Sequence, residues 1–181
     1  MANPIAATSP ALQARIAGAF YLVTVAAGAV AFLKPSAVAA GVIAGASYVG
    51  VTVILYFLFK PVNNGVSLLA ASFSFAGIAT GPIASAVSYA QGFSVTMAFF
   101  GCYCISIGYL VLRSGYLPRI VGVLLAMGGL GYLINSAADF FLPGLASRLL
   151  LLPGFAAETL LCVWLLAAGV KMPGSRTDAG S

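Results

Sequence analysis

The chain has 181 residues, of which 62% are hydrophobic and 6% charged, with a formal net charge of +5. A soluble domain of this length needs far more surface charge, whereas a chain that faces lipid does not. The basic residues stand between apolar runs without interleaved aromatics, so they read as topology determinants and exclude a nucleic-acid patch. Histidine is absent, which removes the commonest metal ligand and general base, and neither a metal nor a cofactor is expected.

The first apolar run, 16–33, follows a lone Arg15 and is longer than a secretory signal core, so it reads as a retained membrane helix. Pro10 with Ser9 as N-cap offers an earlier start. The second run is 37–59, after Lys34-Pro35, with Gly41, Gly45, Tyr48 and Thr52 on one stripe. The third is 66–90, after Lys60-Pro61-Val62-Asn63-Asn64-Gly65, with a stripe of Ser74, Gly77, Gly81, Ser85 and Ser88 and an expected break at Gly81-Pro82. The fourth is 93–112, the fifth 120–142 and the sixth 149–170, with Pro153 as a second possible start for the sixth. Each run approaches the ~20 residues that a spanning helix needs.

The expected fold is therefore all-α: a polytopic integral membrane bundle of six transmembrane helices. Residues 1–171 form one domain, and 172–181 form a disordered tail. Six spans put both termini on one side, with Arg15, Lys60, Arg113, Arg119, Lys171 and Arg176; the other side has Lys34 and Arg148. That asymmetry predicts cytoplasmic termini. Tyr56 precedes Lys60 by four residues and Tyr109 precedes Arg113 by four, as in an aromatic belt with snorkelling bases. Gly41/Gly45 and Gly77/Gly81 have the spacing of close helix packing, within the bundle or in a homodimer seam. Cys102 and Cys104 are separated by about 200° on a helix, and with Cys162 they read as small apolar fillers.

Glu158 interrupts the sixth run. Lipid does not solvate a carboxylate, so the group must be hydrogen-bonded or face protein. It shares a stripe with Gly154, Cys162 and Gly169, while the fifth run carries Gly128, Gly131, Tyr132, Asn135 and Asp139 on one face. Tyr132, Asn135, Asp139 and Glu158 are therefore expected to form one polar cluster between helices five and six, in the outer half of the membrane. Asp139 is also a candidate for an ion pair with Arg148 near the surface.

Three roles fit such a cluster. It could fasten the bundle, exchange a proton or hold a small solute in transport, or act as an acid or base on a lipid-like substrate. No nucleophile–base pair or metal set is visible, so the sequence leans away from an enzyme. The lipid bilayer is the expected partner, with a small-molecule or lipid ligand in the transport and enzyme readings.

Four stretches carry a family likeness. They are Arg15-Ile16-Ala17-Gly18 leading to Tyr21-Leu22; Leu55-Tyr56 with Lys60-Pro61-Val62-Asn63; Leu117-Pro118-Arg119-Ile120-Val121-Gly122-Val123-Leu124-Leu125 with Gly131-Tyr132-Leu133; and Pro153, Glu158, Trp164-Leu165-Leu166 and Gly169-Val170. On these the chain resembles the bacterial membrane proteins of domain-of-unknown-function family 4386. The resemblance implies a multi-spanning protein of the bacterial plasma membrane with an acidic residue in its last helix, and no particular activity. The family pattern would place Gly where Ala157 stands and Asp where Asn135 stands, and would join the first two helices by a longer segment.

Overall fold

The computed structural model describes residues 9–34, 36–87, 89–142 and 147–170, and of Phe32, residues 81–93 and Arg148 the backbone alone. Six α-helices are present: α1 (Pro10–Leu33), α2 (Val38–Phe59), α3 (Asn64–Val87), α4 (Tyr89–Ser114), α5 (Arg119–Phe141) and α6 (Leu152–Ala167). A short 3-10 turn, Arg148–Leu151, leads into α6. The expected tail at 172–181 lies outside the described residues.

Local chemistry sets the helix ends. Ser9 caps α1, its hydroxyl accepting from Leu12 N at 3.3 Å, with Pro10 in the first turn. Asn63 Oδ1 accepts from Val66 N at 3.0 Å at the start of α3. Gly115 after α4 and Gly169 after α6 have φ of +66° and +64°, the left-handed conformation that closes a helix C-terminus and that side chains with a Cβ rarely adopt. α3 runs as helix through Gly81-Pro82, so the expected break there is not seen. Proline breaks a helix less readily in a bundle, where neighbouring groups take up the freed carbonyl.

Five segments are long and apolar enough to cross a membrane: Pro10–Ala31, Val38–Phe59, Ser94–Ser114, Arg119–Phe141 and Leu149–Ala167. Within α3 the described apolar stretch is the shorter Asn64–Thr80. The outer surface is apolar, with Val42, Met127, Ile134 and Val163 all exposed. Thr52, Ser74, Ser94, Asn135 and Ser136 are buried instead. Apolar outside and polar inside is the polarity that lipid imposes.

Each helix packs on its neighbours in sequence, and α6 packs back on α1, so the six close into a ring. Adjacent helices run antiparallel. Tyr21 meets Tyr48 and Thr24 meets Ala44 between α1 and α2; Ser67 meets Tyr56 and Ser74 meets Thr52 between α3 and α2. The most extensive packing is between α4 and α5. A Cβ on Gly101 would lie 2.8 Å from the Gly129 carbonyl oxygen, and one on Gly108 would lie 2.7 Å from that of Gly122. Only glycine permits that approach.

The start of α1 and the end of α6 lie together, since a Cβ on Gly169 would be 3.5 Å from the Ala11 carbonyl oxygen. Arg15, Lys60, Arg113 and Arg119, all exposed, belong to this same end. Phe59 stacks on Tyr116 there, centroids 6.1 Å apart, and so joins the turns after α2 and α4. Lys60 lies 5.8 Å from the Tyr56 ring and Arg113 5.9 Å from the Tyr109 ring, the paired arrangement that the four-residue spacing predicts.

Candidate functional site

Tyr21 and Tyr48 stand at the midpoints of α1 and α2. A phenol at a helix end turns its hydroxyl to the interface; at mid-span it must find a partner inside. Both are buried, and their hydroxyls lie 3.4 Å apart. The Tyr48 hydroxyl also donates to Glu158 Oε1 at 3.4 Å. From α4, the Cys104 thiol donates to the same oxygen at 3.2 Å. Side chains of α1, α2 and α4 thus converge on one carboxyl of α6 in the ring interior. Phe100 and Tyr103 of α4 enclose it with their rings edge-on to Tyr48, centroids 4.9 and 5.7 Å away.

Glu158 lies on the inward stripe of α6, beside Gly154, Leu161, Cys162 and Leu165, all buried. Leu152 and Val163 on the opposite stripe face outward. Yet Glu158 itself is only half-buried. Its hydrogen-bond donors are neutral, and no ion pair exists among the described residues.

Of the residues expected to form one cluster, Tyr132 stays near Glu158, while Asn135 and Asp139 bond elsewhere. Tyr132 packs its ring on Gly154, one turn before Glu158, and edge-on to Phe155 at 6.4 Å. A Cβ at position 154 would overlap that ring, which explains the glycine. Asn135 accepts from Ser147 N at 3.0 Å, and so ties the 3-10 turn to α5. Asp139 accepts from the Ser94 hydroxyl of α4. No hydrogen bond joins Asn135 or Asp139 to Glu158 among the described residues. The reason is one of rotation: the side-chain oxygens of Asn135 and Asp139 serve the loop and α4, whereas Glu158 points across the ring. The ion pair of Asp139 with Arg148 lies outside the described side chains.

Cys104 departs from the filler reading, since it donates to the carboxyl. The three cysteines are free, and the Cys162 thiol donates to the Gly18 carbonyl oxygen at 3.5 Å. Tyr21, Tyr103 and Cys104 were not singled out by the stripes. The available signal was the position of tyrosines in the middle of apolar runs. Tyr48 was on the inward stripe of its helix but was not linked to Glu158.

Residues 79–169 match the family described as Domain of unknown function (DUF4386). A protein of Archaeoglobus fulgidus, itself described as uncharacterized, is 32% identical over 129 residues, 68% of this chain and 78% of the relative. The likeness is thus not confined to bacteria. No solved structure matches the chain. With half of the chain inside the family match and this relative aligned over most of both sequences, the chain belongs to the DUF4386 family.

Proposed function

We propose that this protein crosses the membrane six times, with both termini in the cytoplasm, and moves a proton or one small polar solute by way of Glu158. The observation that supports this reading most is the placement of Glu158. It is a carboxyl at the centre of a helix ring, contacted by neutral donors from α2 and α4. A charge held there without a cation is costly. Taking up a proton or a cationic group offsets that cost, and releasing it on the other side completes a transport step. The six-span reading treats α3 as a span whose apolar stretch continues beyond Thr80.

A second reading has its own support. Glu158 links α6 to α2 and α4, which are not its neighbours in the ring, so the carboxyl can serve to fasten the bundle. The test is proton movement into liposomes carrying the purified protein, with a pH-sensitive dye trapped inside and an imposed pH gradient. Transport requires that wild type exceeds protein-free liposomes and that Glu158→Gln does not. Equal rates for the two proteins would remove Glu158 from the transport path and leave the fastening role.

A further inference from the structure

The ring interior contains a hydroxyl that the bundle does not pair. Tyr103 is 1% exposed, and its hydroxyl has no hydrogen-bond partner. Its polar surroundings are the group already described: Tyr48, Tyr21, Cys104 and Glu158. A buried hydroxyl left unpaired is destabilising, and such a group in a native interior calls for an explanation. The bonds that do form here are loose. Tyr21 to Tyr48 and Tyr48 to Glu158 are both 3.4 Å, against about 2.7–2.8 Å for an ordinary O–H···O bond. Tyr21, Tyr48 and Glu158 thus bond one another only loosely, with the unpaired Tyr103 hydroxyl beside them.

We propose that Glu158, Tyr48, Tyr103 and Tyr21 form a binding site for one alkali-metal cation, taken up in competition with a proton. An all-oxygen set suits a hard cation. The charge selects a monovalent one. The chain has three acidic residues; Asp139 is engaged by Ser94, and Asp178 falls outside the described residues. A single carboxylate neutralises one positive charge, and a divalent ion would leave one uncompensated in a low-dielectric interior. The titratable groups that face Glu158 are Tyr21 from α1, Tyr48 from α2, Tyr103 and Cys104 from α4 and Tyr132 from α5. No lysine or arginine stands among them, so the cation has no fixed competitor.

The inference rests on the transport reading of Glu158 and names its substrate class, but binding can be measured without transport. Thermal unfolding of the full chain in detergent is followed in lithium, sodium or potassium chloride, with N-methylglucamine chloride holding ionic strength constant. One alkali ion is expected to raise the Tm saturably at mildly alkaline pH, and less at mildly acidic pH, because the ion and the proton compete for the carboxyl. Glu158→Gln abolishes the rise. Tyr103→Phe keeps the ring and weakens half-saturation by about tenfold; Tyr48→Phe does the same and serves if the first variant fails to fold. A wild-type Tm indifferent to which cation is present overturns the proposal. So does a Tyr103→Phe protein that responds as wild type does, the result expected if that hydroxyl meets only an internal water. Proton movement without an ion-specific Tm shift would overturn the cation site and leave transport standing. An ion-specific shift without transport would do the reverse.

Discussion

Tyr48 on α2 donates its hydroxyl to Glu158 Oε1 on α6 at 3.4 Å, although α1 separates the two helices in the ring. The bond runs across the interior and joins helices that make little backbone contact. A ring held only by neighbouring pairs can open at any seam, and a cross-ring bond opposes that. Tyr48→Phe is expected to lower stability in detergent modestly, by about 0.6–2 kcal/mol. It should keep helix content unchanged. A double-mutant cycle of Tyr48→Phe with Glu158→Leu measures the coupling, and strict additivity would show that the two side chains do not interact.

The α4–α5 seam makes a sharper prediction. Gly108→Ala places a methyl group 2.7 Å from the Gly122 carbonyl oxygen. Backbone cannot rotate away as a side chain can, so the helices must separate, at a cost of roughly 1–3 kcal/mol. Gly41→Ala is the control, since a Cβ there meets nothing within 4 Å. The expected outcome is a clear fall in Tm for the first and none for the second. Because Gly41 is exposed, the same control tested for oligomeric state also checks the homodimer seam that its spacing with Gly45 suggests.

Asn135 is expected to act on the loop rather than on the interior. Asn135→Ala removes the acceptor of the Ser147 N–H and should cost about 0.5–2 kcal/mol, as loss of a capping side chain does. Hydrogen exchange should speed up at the Ser147 amide and little elsewhere. Uniform acceleration through α6 would contradict that local role. Asn135→Asp retains an acceptor oxygen and should preserve most of the protection.

Ser94→Ala removes the hydroxyl that Asp139 accepts from, between α4 and α5. Asp139 is half-buried, so the expected loss is smaller than for a fully buried charged group. Thermal melts of Ser94→Ala beside wild type check this.

Much of the architecture was legible because hydropathy, caps and breakers act locally. Ser9 and Pro10 mark the start of α1 through chemistry that each carries alone. Glu158 stood out because a carboxyl in an apolar run always needs a partner. Its partners were less legible. Depth along a helix can be counted, but rotation across a six-helix ring depends on every packed pair. The counted depths placed Tyr132, Asn135 and Asp139 beside Glu158, and rotation turned Asn135 to Ser147 and Asp139 to Ser94. The glycines of the tightest seam were also readable in principle. Gly101 and Gly108, like Gly122 and Gly129, are seven residues apart, which is close to two helical turns and so one face.

The account turns on whether Glu158 does more than hold the ring together. The most direct measurement pairs proton movement in liposomes with thermal stability, on the same preparations of wild type, Glu158→Gln and Glu158→Leu. The account predicts that Glu158→Gln melts close to wild type yet moves no more protons than protein-free liposomes. Glu158→Leu should both lose stability and be inactive, since it lacks any polar partner for Tyr48 and Cys104. A Glu158→Gln protein that moves protons as fast as wild type would contradict the central claim.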